Sequence, residues 1–537
     1  MRSTSALGGA MRGVRASVAT LLTAAMLALT SAAAVAQEKG GSMTYLSSNI
    51  PGLNPLHSAF EVGLVSSQIF ASLVRLGEDN RPIPYLAESY SISDDGLTYT
   101  FNLAKNATFH DGKPVTSADV AFSLGVVQKH HRFGPQMFGP VETVETPDDH
   151  TVVFRLSKRH GPLLVAATTP RQLPIMPKHV YGDGDFMKHP AHKDPVGSGP
   201  FVLKEFKTDQ YYIVERNPNH FIEGLPHLDQ IIYKLVKDKT ARRIGLQRNE
   251  FQLADASGVM RLTDIDEFKK VEHLALAEMK SVSGSSIVLE FNNREGPLAN
   301  KAVRQAIAYG IDRAYIADVL HAGYTKPSQG PLPFTNIFDN PDITGYPYDV
   351  DKANALLDEA GYPANDDGVR FELGLIYIGQ PFRPDLNSVP GEYIAQTLKN
   401  IGIKVNQEPM AGFAAWGKRI AAWNFDMSLN WPGDKVDPAV GVSRLYVCDN
   451  IKKQAYTNTS GYCNEEVDRI FAQAAEEADL DKRQALYDEV SKILIEEMPM
   501  NWLFDVVGQW FHHKDLYLPS YGWGEAWDLV YWKTPQG

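Results

Sequence analysis

Cysteine is almost missing from this chain: 537 residues contain two. That excludes a cysteine-built metal cluster and a disulfide-dense scaffold. A basic surplus is missing as well. The formal net charge is −12, whereas a nucleic-acid binder carries a basic patch or stripe. Beyond the signal-like start described below, no run stays apolar for the roughly 18 residues a membrane helix needs. The recurrent catalytic signatures are absent too: no GxSxG elbow, no HExxH, no phosphate-cradling lysine loop and no GxGxxG. Isolated acidic pairs are plentiful on any acidic surface, so they do not argue for a glycosidase. The remaining composition, 44% hydrophobic and 22% charged, is that of a globular protein rather than a disordered or collagen-like one. At about 100–200 residues per domain the length fits two to four domains.

What is present begins with an export label. Arg2, Arg12 and Arg15 precede the apolar run Val18 to Leu29, and Ala34-Val35-Ala36 follows it. A basic start, a short apolar core and an A-x-A site make a secretory signal peptide, cleaved after Ala36. The expected location is a bacterial periplasm. Export makes the two cysteines interpretable. Cys448 and Cys463 form an even pair in an oxidising compartment and read as one disulfide. The CxxC spacing of a redox pair is absent.

Strands and amphipathic helices alternate along the rest. Leu97, Tyr99, Phe101 and Leu103 alternate with polar residues behind the turn Ser93-Asp94-Asp95-Gly96, which predicts a strand. Val153 to Leu156, Phe201 to Leu203, Tyr211 to Glu215 and Ile231 to Val236 read as further strands. Helical spacing predicts helices over Lys301 to Leu320, Asp351 to Ala360, Glu465 to Glu477 and Asp481 to Glu496, with Gly361 and Pro499 as stops. Gly182-Asp183-Gly184-Asp185 resembles a calcium loop but lacks the later ligands, so it reads as a turn. The pairs His130-His131 and His512-His513 point apart on any regular element, a poor start for a metal site. No metal and no cofactor are expected.

One segment stands out: Asn430-Trp431-Pro432-Gly433-Asp434-Lys435-Val436-Asp437-Pro438. Asp437 before Pro438 suits a helix N-cap. Asp434 has no such task. By spacing alone this is first a surface turn with a solvated Asp434 and a core Trp431. The alternative is a carboxylate presented into a cavity, where a ligand cation would pair its charge and Trp431 would cover the ligand's apolar part.

Several stretches then carry a resemblance. Tyr85-Leu86-Ala87-Glu88-Ser89-Tyr90 is followed by Asp95-Gly96-Leu97-Thr98-Tyr99-Thr100-Phe101. Phe109-His110-Asp111-Gly112-Lys113-Pro114, Gly197-Ser198-Gly199-Pro200-Phe201, Glu215-Arg216-Asn217-Pro218, Val303-Arg304-Gln305-Ala306-Ile307-Ala308-Tyr309 and Gly461-Tyr462-Cys463-Asn464 continue the pattern. Together they resemble the family 5 extracellular solute-binding proteins of dipeptide, oligopeptide and nickel ABC transporters, over nearly the whole exported chain.

The resemblance implies an α/β, two-lobed periplasmic-binding-protein fold (type II, cluster C-like) with an extra subdomain in the first lobe. It divides the chain into a signal peptide (1–36), three segments of lobe I (37–85, 196–285 and 503–537), the extra subdomain (86–195) and lobe II (286–502). Ser285 to Phe291 and Pro499 to Phe504 are the expected hinge crossings. The implied function is capture of a small peptide between closing lobes and delivery to an inner-membrane ABC permease with its ATPase subunits. The protein is expected to be a monomer and not an enzyme. Position by position, Asp434 falls on the family's ligand-amine Asp, with Trp431 and Gly433 beside it. Arg383, in Gly379-Gln380-Pro381-Phe382-Arg383-Pro384, is the nearest match to an Arg that holds a ligand carboxylate in dipeptide binders; otherwise it is a solvated loop arginine. Arg444 is a second anion candidate. A disulfide at the Cys448–Cys463 position also fits dipeptide binders. The departures, at Pro438 to Tyr446 and Asn49 to Phe60, lie where specificity is set. The alternative ligand classes are opines, oligosaccharides, glutathione and metal chelates.

Overall fold

The computed structural model describes residues 40–47, 52–56, 60–78, 81–279, 285–379, 383–433, 437–477, 479–519 and 526–533. The expected signal peptide (1–36) and Asp434 lie outside the described residues.

Two mixed sheets organise the molecule. The first has seven strands in the order Leu274–Met279, Gly508–His513, Leu253–Asp255, Ser42–Ser47, Gln230–Leu235, Tyr211–Arg216 and Phe201–Lys207. The second has six: Thr325–Pro327, Met500–Val506, Ser285–Phe291, Met427–Asn430, Phe371–Ile378 and Ile403–Met410. Each sheet anchors one lobe. A separate four-stranded antiparallel sheet, Ala87–Ile92, Thr98–Leu103, Thr151–Leu156 and Val141–Asp148, lies within the stretch assigned to the extra subdomain.

The predicted alternation works as expected in that small sheet. Tyr99, Phe101 and Leu103 turn inward, and Phe101 meets Phe154 of the neighbouring strand at 5.2 Å between ring centroids. The small sheet does not build its own core. One continuous apolar cluster joins Phe101 and Phe154 to Met43, Phe70 and Tyr233 of the first lobe. A second cluster, including Ile287, Ile307, Leu375, Val467 and Leu494, fills the other lobe. Subdomain and first lobe therefore form one packed body. The chain end returns to this body: Trp527 stacks on Tyr233, and Trp532 Nε1 donates to Ser42 O at 3.1 Å.

The two expected hinge crossings lie in one sheet. Ser285–Phe291 and Met500–Val506 pair with each other inside the six-stranded sheet, starting from Ser285 opposite Val506. Residues 503–506 therefore belong with the second lobe, not with the C-terminal segment of the first. The chain changes sheet between Met279 and Ser285, and again at Val507, the only residue between Val506 and Gly508.

The helix expected over Lys301 to Leu320 is also divided. A helix covers Lys301–Tyr309, and after Gly310 the Asp312 side chain accepts from Tyr315 N at 2.9 Å, starting a new turn. Local carboxylate capping outcompetes continuation of the ladder. The break also aims Arg313, which donates to Ser328 O and to Tyr346 O. The other three helices form within two residues of their expected ends. Their caps are Asp349, Asn464 and Asp479, each accepting from a first-turn N–H.

Three half-buried or buried histidines give the fold a pH dependence. Burial pushes the imidazoles of His110 and His321 down to about 4 and that of His220 to about 3. Neither ring nitrogen of His220 has a hydrogen-bond partner among the described residues. The unfolded chain takes up these protons near 6.5, the folded chain only well below, so stability is lost as pH falls from 6.5 toward 4. Asp505 opposes this: burial pushes its carboxyl up to about 6, above its ordinary 3.8, so it favours the fold as pH falls through 6. Set against Asp505 alone, these three imidazoles contribute a loss on the order of 2 kcal/mol per pH unit near pH 5; buried His160 and His512 add to it, and buried Glu290 and Asp528 work against it. Urea midpoints measured at pH 7, 6 and 5 should fall in that order. Equal midpoints would show that the histidines are hydrated.

Candidate ligand-binding site

Parallel strands in an α/β sheet leave a crevice beyond their carboxyl ends, and ligands settle there. Both lobes have such ends. In the first, Ser42–Ser47 runs parallel to Gln230–Leu235 and to Leu253–Asp255. In the second, Phe371–Ile378 runs parallel to Ile403–Met410 and to Met427–Asn430. The segments leaving these ends meet. Asp255 closes a strand of the first lobe, while Arg383 and Trp431 follow strands of the second. Arg383 Nη2 lies 2.6 Å from Asp255 Oδ2, and its guanidinium sits over the Trp431 ring at 5.0 Å. A second pair crosses beside it, Arg261 Nε to Asp385 Oδ1 at 2.5 Å, with Leu262 N donating to Asp385 Oδ2 at 2.8 Å.

Arg383 is held in an unusual way for a loop arginine. Its φ is +37°, in the left-handed region, which costs a non-glycine residue on the order of 1–3 kcal/mol and persists only where surroundings fix it. Its side chain is 12% exposed. The expectation of a solvated arginine is thus replaced by a clamped one whose partner is a carboxylate of the opposite lobe.

The far flank of the crevice is closed by the subdomain. The Arg444 guanidinium lies 5.3 Å from the Phe133 ring, and that of Arg132 lies 4.9 Å from the Tyr456 ring. Gly161 N donates to Ala475 O at 2.8 Å, and Lys158 pairs with Glu476 at 2.9 Å. The two lobes are therefore in contact on both flanks, and the described conformation is a closed one.

Between the flanks lies the turn Trp431-Pro432-Gly433. Gly433 has φ +64°, a conformation only glycine adopts without strain. Arg444, 2% exposed, supports the turn from behind: Nη2 donates to Pro432 O and to Gly433 O at 2.8 Å, and Nη1 donates to Tyr456 O. These main-chain bonds make Arg444 a support of the turn. Asp434, the next residue, is outside the described residues. Asp437 caps the short helix Pro438–Gly441 by accepting from Ala439 N at 2.9 Å, as the Asp-Pro pair predicted.

Sequence reasoning missed the groups beneath the turn. Glu290 is buried and accepts from Asn430 Nδ2 at 2.9 Å and from Thr459 Oγ1. Burial raises its carboxyl above the ordinary range. Asn430 leads directly into Trp431, so this network anchors the strand end that carries the turn. The signal was a single carboxylate inside the apolar run Ser286 to Phe291. Asp437 also pairs with Arg483, both Asp437 oxygens lying 3.0 Å from Arg483 Nη2. The expected disulfide joins Cys448 and Cys463. It closes the loop that supplies Tyr456 O to Arg444 and Thr459 to Glu290. Among the described residues no group of three His, Cys, Asp or Glu is placed to hold a metal ion, and no helix is long and apolar enough to cross a membrane.

Comparison with known proteins agrees with this architecture. The family profile described as "Bacterial extracellular solute-binding proteins, family 5 Middle" matches residues 81–453. Heme-binding protein A of Haemophilus influenzae is 30% identical over 460 residues, covering 81% of this chain and 81% of that protein. Di/tripeptide-binding protein 2 of Pseudomonas aeruginosa is 28% identical over 450 residues, covering 78% and 80%. Among solved structures, the periplasmic binding protein DppA of Helicobacter pylori in complex with peptide STSA superposes with a TM-score of 0.80 at 23% identity, covering 93% of this chain and 99% of that one. NikA of Brucella suis in complex with Fe(III)-EDTA gives the same TM-score at 23% identity, covering 92% and 100%.

Proposed function

Because this chain belongs to the family 5 bacterial extracellular solute-binding proteins, we propose that it is the periplasmic capture component of an ABC importer and that its ligand is a small peptide. Relatives named as di/tripeptide-binding and oligopeptide-binding proteins support that ligand class. The observation that carries the reading is the crevice itself. It lies between the carboxyl ends of both sheets and is crossed by the turn Trp431-Pro432-Gly433, which a buried arginine holds from behind.

In this reading Asp434 receives the ligand's α-ammonium, Gly433 lets the main chain approach closely, and Trp431 covers the apolar body. Arg383 stands beside Trp431 at one end of the crevice, and Arg444 keeps the turn in place. Ligand contacts available only when the lobes meet shift an open–closed equilibrium toward the closed form, and the closed form is what docks on the inner-membrane permease. A dissociation constant near 1 μM, about −8 kcal/mol, is enough for such capture. The protein acts as a monomer and carries out no catalysis.

Mass spectrometry of the small molecules released by denaturing the natively purified protein tests the ligand class. Di- or tripeptide masses are expected. A single opine, sugar, glutathione or chelate mass would replace the peptide by that class. Asp434→Asn is expected to weaken peptide binding by at least about 100-fold, because a buried ammonium loses its counter-charge. Unchanged affinity would remove Asp434 from the site.

A further inference from the structure

Arg383 lies both beside Trp431 and at the seam between the lobes. Read from one lobe alone, it is a positive charge offered to a ligand carboxylate. Read with the opposite lobe, its charge is answered. Asp255 Oδ2 lies 2.6 Å from Arg383 Nη2, and the Asp255 and Arg383 side chains are only 17% and 12% exposed. Asp255 is itself fixed in place. Its Oδ1 accepts from Ser257 N at 3.1 Å and from Ser257 Oγ at 3.0 Å, so the carboxylate is a helix cap as well as a partner.

We propose that Asp255 is a specificity-determining residue: it occupies the seat of an anion on Arg383, so the closed crevice selects ligands whose group at that end is neutral or cationic. A second carboxylate on the same guanidinium would leave a net negative charge in a shielded place. Either Asp255 would have to leave its cap, or the ligand would bind with two carboxylates in contact. Like charges at short range disfavour joint ionisation and association. The neighbouring pair Arg261–Asp385 does not relieve this, because Arg261 already meets its own carboxylate. This inference rests on the peptide reading and refines it: the favoured peptides are those without a free carboxylate beside Arg383, because they are amidated, because they carry a basic side chain there, or because they extend past it.

The test uses two matched tripeptide libraries, one with free C-termini and one C-terminally amidated, and compares their bound fractions by native mass spectrometry. The proteins are the wild type, Asp255→Asn and Arg383→Gln. Asparagine caps a helix as well as aspartate does, so the first variant keeps the fold while removing the charge. The wild type is expected to favour the amidated library. Asp255→Asn should shift the ratio at least tenfold toward free acids. Arg383→Gln, which leaves Asp255 without its counter-charge, should shift it the other way. A wild type that does not favour the amidated library, or a ratio that Asp255→Asn moves by less than threefold, overturns the proposal. Failure of every protein to bind either library overturns the peptide reading itself, and this inference falls with it.

Discussion

Arg483→Ala should lower the free energy of unfolding by about 3–5 kcal/mol, because it strands a buried carboxylate. Asp437 and Arg483 have side chains only 5% and 6% exposed. Arg483 donates to both oxygens of Asp437, to Tyr487 Oη at 3.0 Å and to Ala474 O at 2.8 Å. Removing the guanidinium leaves Asp437, the tyrosine hydroxyl and a carbonyl without their shared donor. The double variant Asp437→Asn with Arg483→Met should recover most of the loss, since no unpaired charge remains. Chemical denaturation of the two variants beside the wild type decides the matter. A single-variant loss below about 1 kcal/mol would mean that Asp437 is reached by water. The same substitution should also loosen the closed state, for the Arg483 guanidinium packs against Gly161 of the subdomain.

Removing the disulfide should cost about 3 kcal/mol, the chain-entropy expectation for a loop closed over this many residues. Cys448 and Cys463 are separated by 15 positions. The effect reaches beyond stability. Within the closed loop, Asn458 Nδ2 donates to Val447 O and to Tyr462 O, and Tyr456 O accepts from Arg444. Loosening the loop therefore loosens the support of Pro432 and Gly433. Denaturation with and without reductant should give a lower midpoint for the reduced protein. Peptide affinity at a pH where both forms are folded should fall by about tenfold, an allowance of roughly 1.4 kcal/mol for a less ordered turn. Equal midpoints would show that the loop is held by its hydrogen bonds alone.

The local layer of this structure was legible in the sequence, because its causes are local. Period-2 alternation at Leu97 to Leu103 made a strand, Asp437 before Pro438 made a cap, and Gly361 ended a helix with φ +85°. The family pattern, carried by stretches such as Val303 to Tyr309, gave the two lobes. Pairings across the fold were not legible. Arg383 with Asp255 and Leu262 with Asp385 are separated by 128 and 123 positions. Nothing in either segment names its partner, because the pairing exists only once two sheets face each other. Arg483 sits in a helix whose sequence reads as amphipathic, and there an arginine passes for a solvent-facing residue. Asp437 was assigned only its capping role. The Lys301 to Leu320 pattern misled for the opposite reason: apolar spacing continued through a break imposed by the Asp312 side chain.

The single residue at the second sheet change has a mechanical meaning. Val507 alone joins the strand Met500–Val506 of one lobe to Gly508–His513 of the other. A link this short can twist but cannot lengthen, so it acts as an axle rather than a tether. Opening is then a swing, and the arc swept grows with distance from the axle. Arg383, which shares a small cavity with Val507, sits near the pivot. The contacts of Lys158 and Gly161 with Glu476 and Ala475 join the subdomain to the second lobe, so a swing that parts the two must break them. These contacts thus work as the latch of a jaw.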